Sequence, residues 1–77
     1  MRSYVVVFEF LDAPQEQYKY LQMELRSLHA TRLTDTAYVI NTEDTSAELT
    51  DKLIRHLRDT DRIFIYRVVA EDISDVV

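Results

Sequence analysis

Residues 3–10 are the segment that most constrains the fold, because they read S-Y-V-V-V-F-E-F. Six of these eight residues are β-branched or aromatic, a composition that strongly favours a β-strand. Apolar side chains occupy the alternate positions of both faces of this strand. Val6, Phe8 and Phe10 share one face, and Val5 and Val7 share the other, which ends at the charged Glu9. Side chains of a strand alternate between the two faces of a sheet, so this strand needs cover on both faces. The segment therefore predicts a central strand that ends at a carboxylate.

Length and composition exclude several classes of protein. The chain has 77 residues, 47% of them hydrophobic, which fits one compact domain over residues 1–77. It has no cysteine, so disulfides and thiolate zinc sites are excluded, in agreement with the cytoplasmic location that we expect. It has no glycine, so the usual P-loop and dinucleotide fingerprint cannot be built. No apolar run is long enough for a membrane span and no signal peptide is recognisable, so we expect no membrane association.

Two helices are predicted from capping patterns and apolar spacing. Asp12 and Gln15 have capping-box spacing and begin a helix that closes at residues 29–30 without a glycine cap. Thr45 and Glu48 form a second capping box, and the helix that follows is expected to end at residues 59–61. Each helix has one apolar face with helical spacing: Tyr18, Leu21, Leu25 and Leu28 in the first, and Leu49, Leu53, Ile54 and Leu57 in the second.

Three more strands are predicted after the first helix. Residues 31–33 and 37–40 read as a hairpin around a turn at residues 34–36, which contains an aspartate suited to hydrogen bonding with nearby backbone. Residues 62–69 are rich in β-branched and aromatic residues and form the last clear strand. The tail, residues 70–77, could be a short fifth strand or a frayed end.

The order strand, helix, strand, strand, helix, strand predicts a ferredoxin-like α+β sandwich with βαββαβ topology. In this fold two helices cover one face of a four-stranded antiparallel sheet with strand order 4-1-3-2. Val5 and Val7, together with alternate residues of the last strand, would then form an exposed apolar surface on the other face of the sheet. Contiguous exposed apolar patches usually mark an interface. We therefore expect a homodimer that covers this face, or one extended by pairing of edges and tails.

Three segments carry a resemblance to a known family: Y-V-V-V-F-E-F-L-D, then D-T-A-Y-V-I-N-T-E-D-T-S-A-E-L-T-D-K-L, and then D-T-D-R-I-F-I-Y-R-V. Together they resemble the small SinR-like proteins, which are relatives of the CRISPR-associated adaptation endonucleases and of virulence-associated protein D toxins. The resemblance covers residues 4–69. It implies a ferredoxin-like homodimer, often with a C-terminal strand that contacts the other subunit.

The resemblance also implies a candidate metal site at Glu9. In the nuclease relatives the opening strand ends in an aspartate from each subunit, and the pair binds a divalent metal near the two-fold axis. Glu9 matches that position here and keeps the oxygen ligands that Mg²⁺ requires, although it is one methylene longer. Glu9 is thus the candidate catalytic residue and magnesium ligand. The competing interpretation is a strand-end carboxylate paired with Arg67 on an adjacent strand; Asp12 is the nearest other carboxylate in sequence.

A row of basic residues on the second predicted helix and after it is the candidate phosphate-binding surface: Lys52, Arg55, Arg58 and Arg62. Acidic residues are interleaved with this row, and the net charge of the chain is −5. Such a charge disfavours nonspecific attraction to phosphate backbones, so any nucleic-acid binding should be weak. The competing interpretation is a mixed, solvated helix face.

Two functional hypotheses from different classes follow. The first is a homodimeric relative of the CRISPR adaptation endonucleases, either a weak metal-dependent nuclease that uses Glu9 or a nucleic-acid-associated scaffold without the chemistry. The alternative is a catalytically inactive protein-binding or regulatory module built on the same dimer.

Overall fold

The computed structural model describes residues 1–11 and 18–68. Within these ranges the elements follow the predicted order: β1 (Arg2–Glu9), α1 (Lys19–Ser27), β2 (Thr31–Thr34), β3 (Ala37–Thr42), α2 (Ser46–Ile54) and β4 (Arg62–Val68). The predicted capping box at Asp12 and Gln15 and the tail at residues 70–77 lie outside the described residues. The protein is thus an α+β fold with two helices and one sheet in its described part.

The four strands form one antiparallel sheet in the order β2-β3-β1-β4, so that β1 and β3 are central. β1 pairs with β3 on one side, where Val5 lies opposite Val39, and with β4 on the other, where Val5 lies opposite Tyr66. The central position expected for the first strand is therefore confirmed. Among the described strands β2 pairs only with β3, and its register shifts between Arg32 and Thr34.

The core lies between the helices and one face of the sheet. Its strand residues are Tyr4, Val6 and Phe8 of β1 and Ile40 of β3, and its helix residues are Tyr18 with Leu21 and Leu25 of α1 and Leu49 and Leu53 of α2. Because both helices bury their leucines against the same parity of β1, both lie on one face of the sheet. Burial alternates along β1 as predicted from its sequence, and Val5 and Val7 point to the face without helices.

α1 ends in a left-handed residue that is not glycine. His29 has φ 56°, and its N–H donates to the carbonyl of Arg26, while the N–H of Ala30 donates to the carbonyl of Leu25. This is the hydrogen-bond pattern of a Schellman motif, which normally places glycine at the left-handed position. The chain has no glycine, so His29 accepts the steric cost of its Cβ in order to turn the chain into β2.

α2 begins as predicted and ends earlier than predicted. The Thr45 side chain accepts from the Glu48 N–H, and the Glu48 carboxylate accepts from the Thr45 N–H, which is a complete capping box. After Ile54, however, the N–H of Leu57 donates to the carbonyl three residues earlier, which tightens the chain into a 3₁₀-type turn. Leu57 packs against the core, whereas Ile54, about 100° around the helix from buried Leu53, is 52% exposed, so its predicted place in the core face is wrong.

Candidate functional site

Glu9 lies at the end of β1 on the face that the helices leave open. It is exposed, and the residue opposite it on β4 is Arg62. The predicted pairing with Arg67 is wrong, because Arg67 lies opposite Tyr4 near the other end of β1. The antiparallel pairing gives the reason, since the end of β1 must meet the beginning of β4. Glu9 makes no ion pair or side-chain hydrogen bond with residues 1–11 or 18–68.

The described residues hold no cluster of metal-ligating side chains around Glu9. Residues 1–11 and 18–68 contain no group of three or more histidine, cysteine, aspartate or glutamate side chains that could hold an ion. Mg²⁺ is usually held by one or two carboxylates together with water or substrate phosphates. Glu9 supplies one exposed carboxylate, and Asp12, the nearest other carboxylate in sequence, lies outside the described residues.

The surface around Glu9 is apolar, and we name it the open face. It consists of the side chains that point away from the helices on β1, β3 and β4: Val5, Val7, Ala37, Val39, Phe64 and Tyr66. Phe64 is 39% exposed and Tyr66 is 57% exposed. At the end of the face opposite Glu9, the Ser3 hydroxyl donates to the Asn41 side chain over 2.6 Å. An apolar centre with a polar border is the usual anatomy of a protein interface.

The four basic residues of the candidate phosphate-binding row do not share a helix stripe. α2 ends at Ile54, so only Lys52 belongs to the helix, and the other three lie at its cap, in the following turn and on β4. The Lys52 ammonium donates to the Asp44 carboxylate over 2.6 Å, a contact that raises the pKa of this lysine. Arg55 donates to the Asp51 carbonyl over 3.4 Å.

The remaining two arginines also have separate roles. The Arg58 backbone N–H donates to Asp61 over 2.9 Å, which fixes the turn before β4. Arg62 lies on the open face opposite Glu9. The prediction of this row placed the end of α2 at residues 59–61. Because α2 ends at Ile54, the four basic residues lie on different parts of the fold.

A buried hydrogen bond between Tyr18 and Asp61 was not predicted from the sequence. The Tyr18 hydroxyl donates to the Asp61 carboxylate over 2.8 Å, and this bond connects the beginning of α1 with the turn before β4. Burial and the hydrogen bond to Asp61 raise the pKa of Tyr18 to about 12. Burial alone would raise the pKa of Asp61, but the hydrogen bonds from the Arg58 N–H and the Tyr18 hydroxyl hold it below its usual value. The contact joins residues 43 positions apart, and no local pattern signals it.

A second polar contact joins the two helices. The His56 ring lies 3.3 Å from the Glu24 carboxylate, measured from Nε2 to Oε1, and both side chains are mostly buried. His56 follows the last turn of α2, and Glu24 lies in the middle of α1. The contact serves helix packing, and neither residue lies on the open face.

The described helices and the comparisons with known proteins provide two further findings. No helix in the described part of the chain combines the length and apolarity needed to cross a bilayer. No protein-family model matches the sequence, and no curated protein is significantly similar to it. The open face with Glu9 at its end is therefore the candidate functional site on structural grounds alone.

Proposed function

We propose that the protein is a homodimeric interaction module with a ferredoxin-like fold, in which two copies bury their open faces against each other. The observation that carries this proposal is the exposure of Phe64 and Tyr66 beside half-buried valines on the face without helices. Large apolar side chains in contiguous positions usually lie at interfaces. Aromatic residues are also the side chains most often responsible for binding energy at such interfaces.

The size of the domain supports the same proposal. A chain of 77 residues buries only about 60% of the surface that it exposes when unfolded, so its stability as a monomer should be small. Binding of a second copy to the folded state adds stability by mass action. A standard interface buries about 800 Å² from each partner.

The test is the molar mass in solution. Size exclusion with light scattering should give twice the chain mass of 9.1 kDa at micromolar concentration. Tyr66→Glu places a charge on the open face beside Val5 and should convert the protein to a monomer. Tyr20→Glu is the matched control, because Tyr20 is 68% exposed on α1 and should leave the dimer intact. A wild-type monomer, or a Tyr66→Glu variant with unchanged mass, contradicts the proposal.

A metal-dependent nuclease is the second candidate, and the position of Glu9 favours it. Glu9 is exposed on the same side of the sheet as the open face and has no partner in the described part of its own chain. A dimer through the open face could therefore bring two Glu9 carboxylates to one axis, where like charges attract a cation. Mg²⁺ held there would activate water and stabilise the charge on a phosphodiester. The resemblance to the adaptation endonucleases supports this candidate.

The nuclease candidate is tested separately from the dimer. Purified protein is incubated with RNA and with duplex DNA, with and without Mg²⁺, beside Glu9→Gln. Cleavage that requires Mg²⁺ and is lost in Glu9→Gln supports the candidate, and absence of cleavage refutes it without affecting the dimer. Charge reversal at Arg55 and Arg58 together should weaken nucleic-acid binding at low salt if the protein acts as a nucleic-acid scaffold. If neither cleavage nor binding is found, the protein-binding or regulatory module remains.

A further inference from the structure

A groove on the helix side of the sheet runs between α1 and the β2–β3 hairpin. One end is a cavity of about 130 Å³, and beside it lies a shallower depression of about 210 Å³; Gln22, Leu25 and Tyr38 line both. β2 is exposed at all four of its residues, so the helices do not cover this edge of the sheet. The groove lies on the opposite face from Phe64 and Tyr66.

The first end of the groove is aromatic. Four aromatic rings line its cavity. Phe8 belongs to β1, Phe10 directly follows β1, Tyr18 directly precedes α1, and Tyr38 belongs to β3. The Phe8 and Phe10 rings are stacked with centroids 5.6 Å apart, and the Phe8 and Tyr38 rings meet edge to face at 5.9 Å. An apolar cavity of about 150 Å³ is large enough for a benzene molecule. The aromatic end is slightly smaller than this but is open to solvent on one side, so one six-membered ring can insert there.

The other end of the groove is cationic. Arg26 of α1 and Arg32 of β2 both line it, together with Ala30. Arg32 already forms an ion pair with Asp35, which neutralises the carboxylate at the aromatic end. Arg26 has no side-chain partner in the described ranges, so no carboxylate described there compensates its charge.

We infer that this groove binds a small organic acid composed of one aromatic ring and a carboxylate on a short flexible linker. The ring enters the aromatic cavity, and the carboxylate lies against the Arg26 guanidinium, with which it makes charge-assisted hydrogen bonds. The Gln22 side chain lines both parts of the groove and supplies donors between them. Few polar groups at fixed positions beside an apolar cavity are typical of small-molecule sites.

The experiment uses three probes that share one skeleton: 3-phenylpropionate, 3-phenylpropanamide and 3-phenylpropylamine. Each is titrated into the ¹⁵N-labelled full chain, and amide shifts are followed by two-dimensional NMR. 3-Phenylpropionate should shift the amides of Gln22, Leu25 and Tyr38 and leave those of Phe64 and Tyr66 unchanged. The neutral amide should bind about tenfold more weakly, because it loses the charge-assisted contact.

Variants of exposed residues complete the test without threatening the fold. Arg26→Ala should weaken the acid about tenfold and leave the neutral amide unaffected. Arg55→Ala is the matched control, since it removes an exposed arginine at the C-terminal cap of α2, outside the groove, and it should change neither affinity. Gln22→Trp should fill the groove and abolish binding while the spectrum stays that of a folded protein.

Several results would overturn the inference. These are tighter binding of the amine than of the acid, equal binding of acid and amide, shifts confined to the open face, and no binding of any probe. The inference does not depend on the dimer, because the groove and the open face are on opposite sides of the sheet. Tyr66→Glu should therefore leave the affinity for 3-phenylpropionate unchanged.

Discussion

The buried hydroxyl of Tyr18 should make the stability of the protein depend on pH in the alkaline range. Tyr18 is 5% exposed, and its hydroxyl donates to the Asp61 carboxylate over 2.8 Å. Loss of the proton would place two negative charges at hydrogen-bond distance in a partly buried site. Burial of Tyr18, its hydrogen bond to Asp61 and the negative charge of that carboxylate together raise the pKa of Tyr18 to about 12.

The magnitude follows from the difference between the folded and unfolded states. The pKa of Tyr18 changes from its ordinary value of 10.0 to about 12. Each pKa unit corresponds to about 1.4 kcal/mol, so the neutral form contributes on the order of 3 kcal/mol to folding. Because the folded pKa is the higher one, the contribution is complete below the unfolded pKa and is lost as the pH rises from there through the folded value. A domain of this size is stable by only a few kcal/mol, so the loss should be large.

The assay is urea unfolding followed by circular dichroism at several pH values, with Tyr18→Phe as the reference variant. Tyr18→Phe removes the titrating group, keeps the ring, and should cost about 2 kcal/mol at neutral pH, where the hydrogen bond to a charged acceptor is lost. As the pH rises from about 9 to about 12, the excess free energy of unfolding of the wild type over Tyr18→Phe should disappear. Other tyrosines and lysines titrate equally in both proteins, so the difference isolates Tyr18. Parallel loss of stability in the two proteins across this range would refute the reasoning.

Three further perturbations test the local structure. His29→Gly should raise stability by about 1 kcal/mol, because glycine has no Cβ penalty at φ 56°, whereas His29→Ala should give no gain; chemical denaturation measures both. Thr45→Ala should cost about 1 kcal/mol through loss of the capping box, and Thr45→Ser should retain most of the stability. Asp61 has a lowered pKa, so its contribution should be complete above the ordinary carboxyl pKa and disappear as the pH falls through the folded value; Asp61→Asn should lack this acid dependence in urea titrations.

Features that depend on local sequence could be predicted. The alternation along β1 correctly predicted that Tyr4, Val6 and Phe8 face the helices and that Val5 and Val7 face away from them. The reason is that a strand has a period of two residues and one face of the sheet carries the helices. The capping box at Thr45 and Glu48 correctly located the beginning of α2, because both of its hydrogen bonds lie within four consecutive residues. These signals act over a few residues, so tertiary contacts did not change them.

Predictions were less accurate for the residues at which helices end and for contacts between residues that are distant in sequence. Ile54 is apolar, yet it follows buried Leu53 directly and therefore points about 100° away from the stripe formed by Leu49 and Leu53. The 3₁₀-type turn after Ile54 separates Lys52, Arg55 and Arg58, which a longer helix would have aligned. The partner of Glu9 was assigned to Arg67, although antiparallel register places Arg62 there. The bond between Tyr18 and Asp61 depends on the packing of α1 against the turn before β4 and has no local signature.

The two candidate binding surfaces have a common origin in how little of the sheet the helices cover. Each helix buries two leucines spaced four residues apart, a stripe of only about 6 Å along the helix axis. Such short stripes cover the centre of the sheet, where β1 is fully buried at Tyr4, Val6 and Phe8, and leave β2 exposed at every residue. The uncovered edge forms the groove beside α1, whereas neither α1 nor α2 lies over the open face. Because the sheet separates the two surfaces, a partner bound to one should leave the other free, and occupation of both at once should be additive.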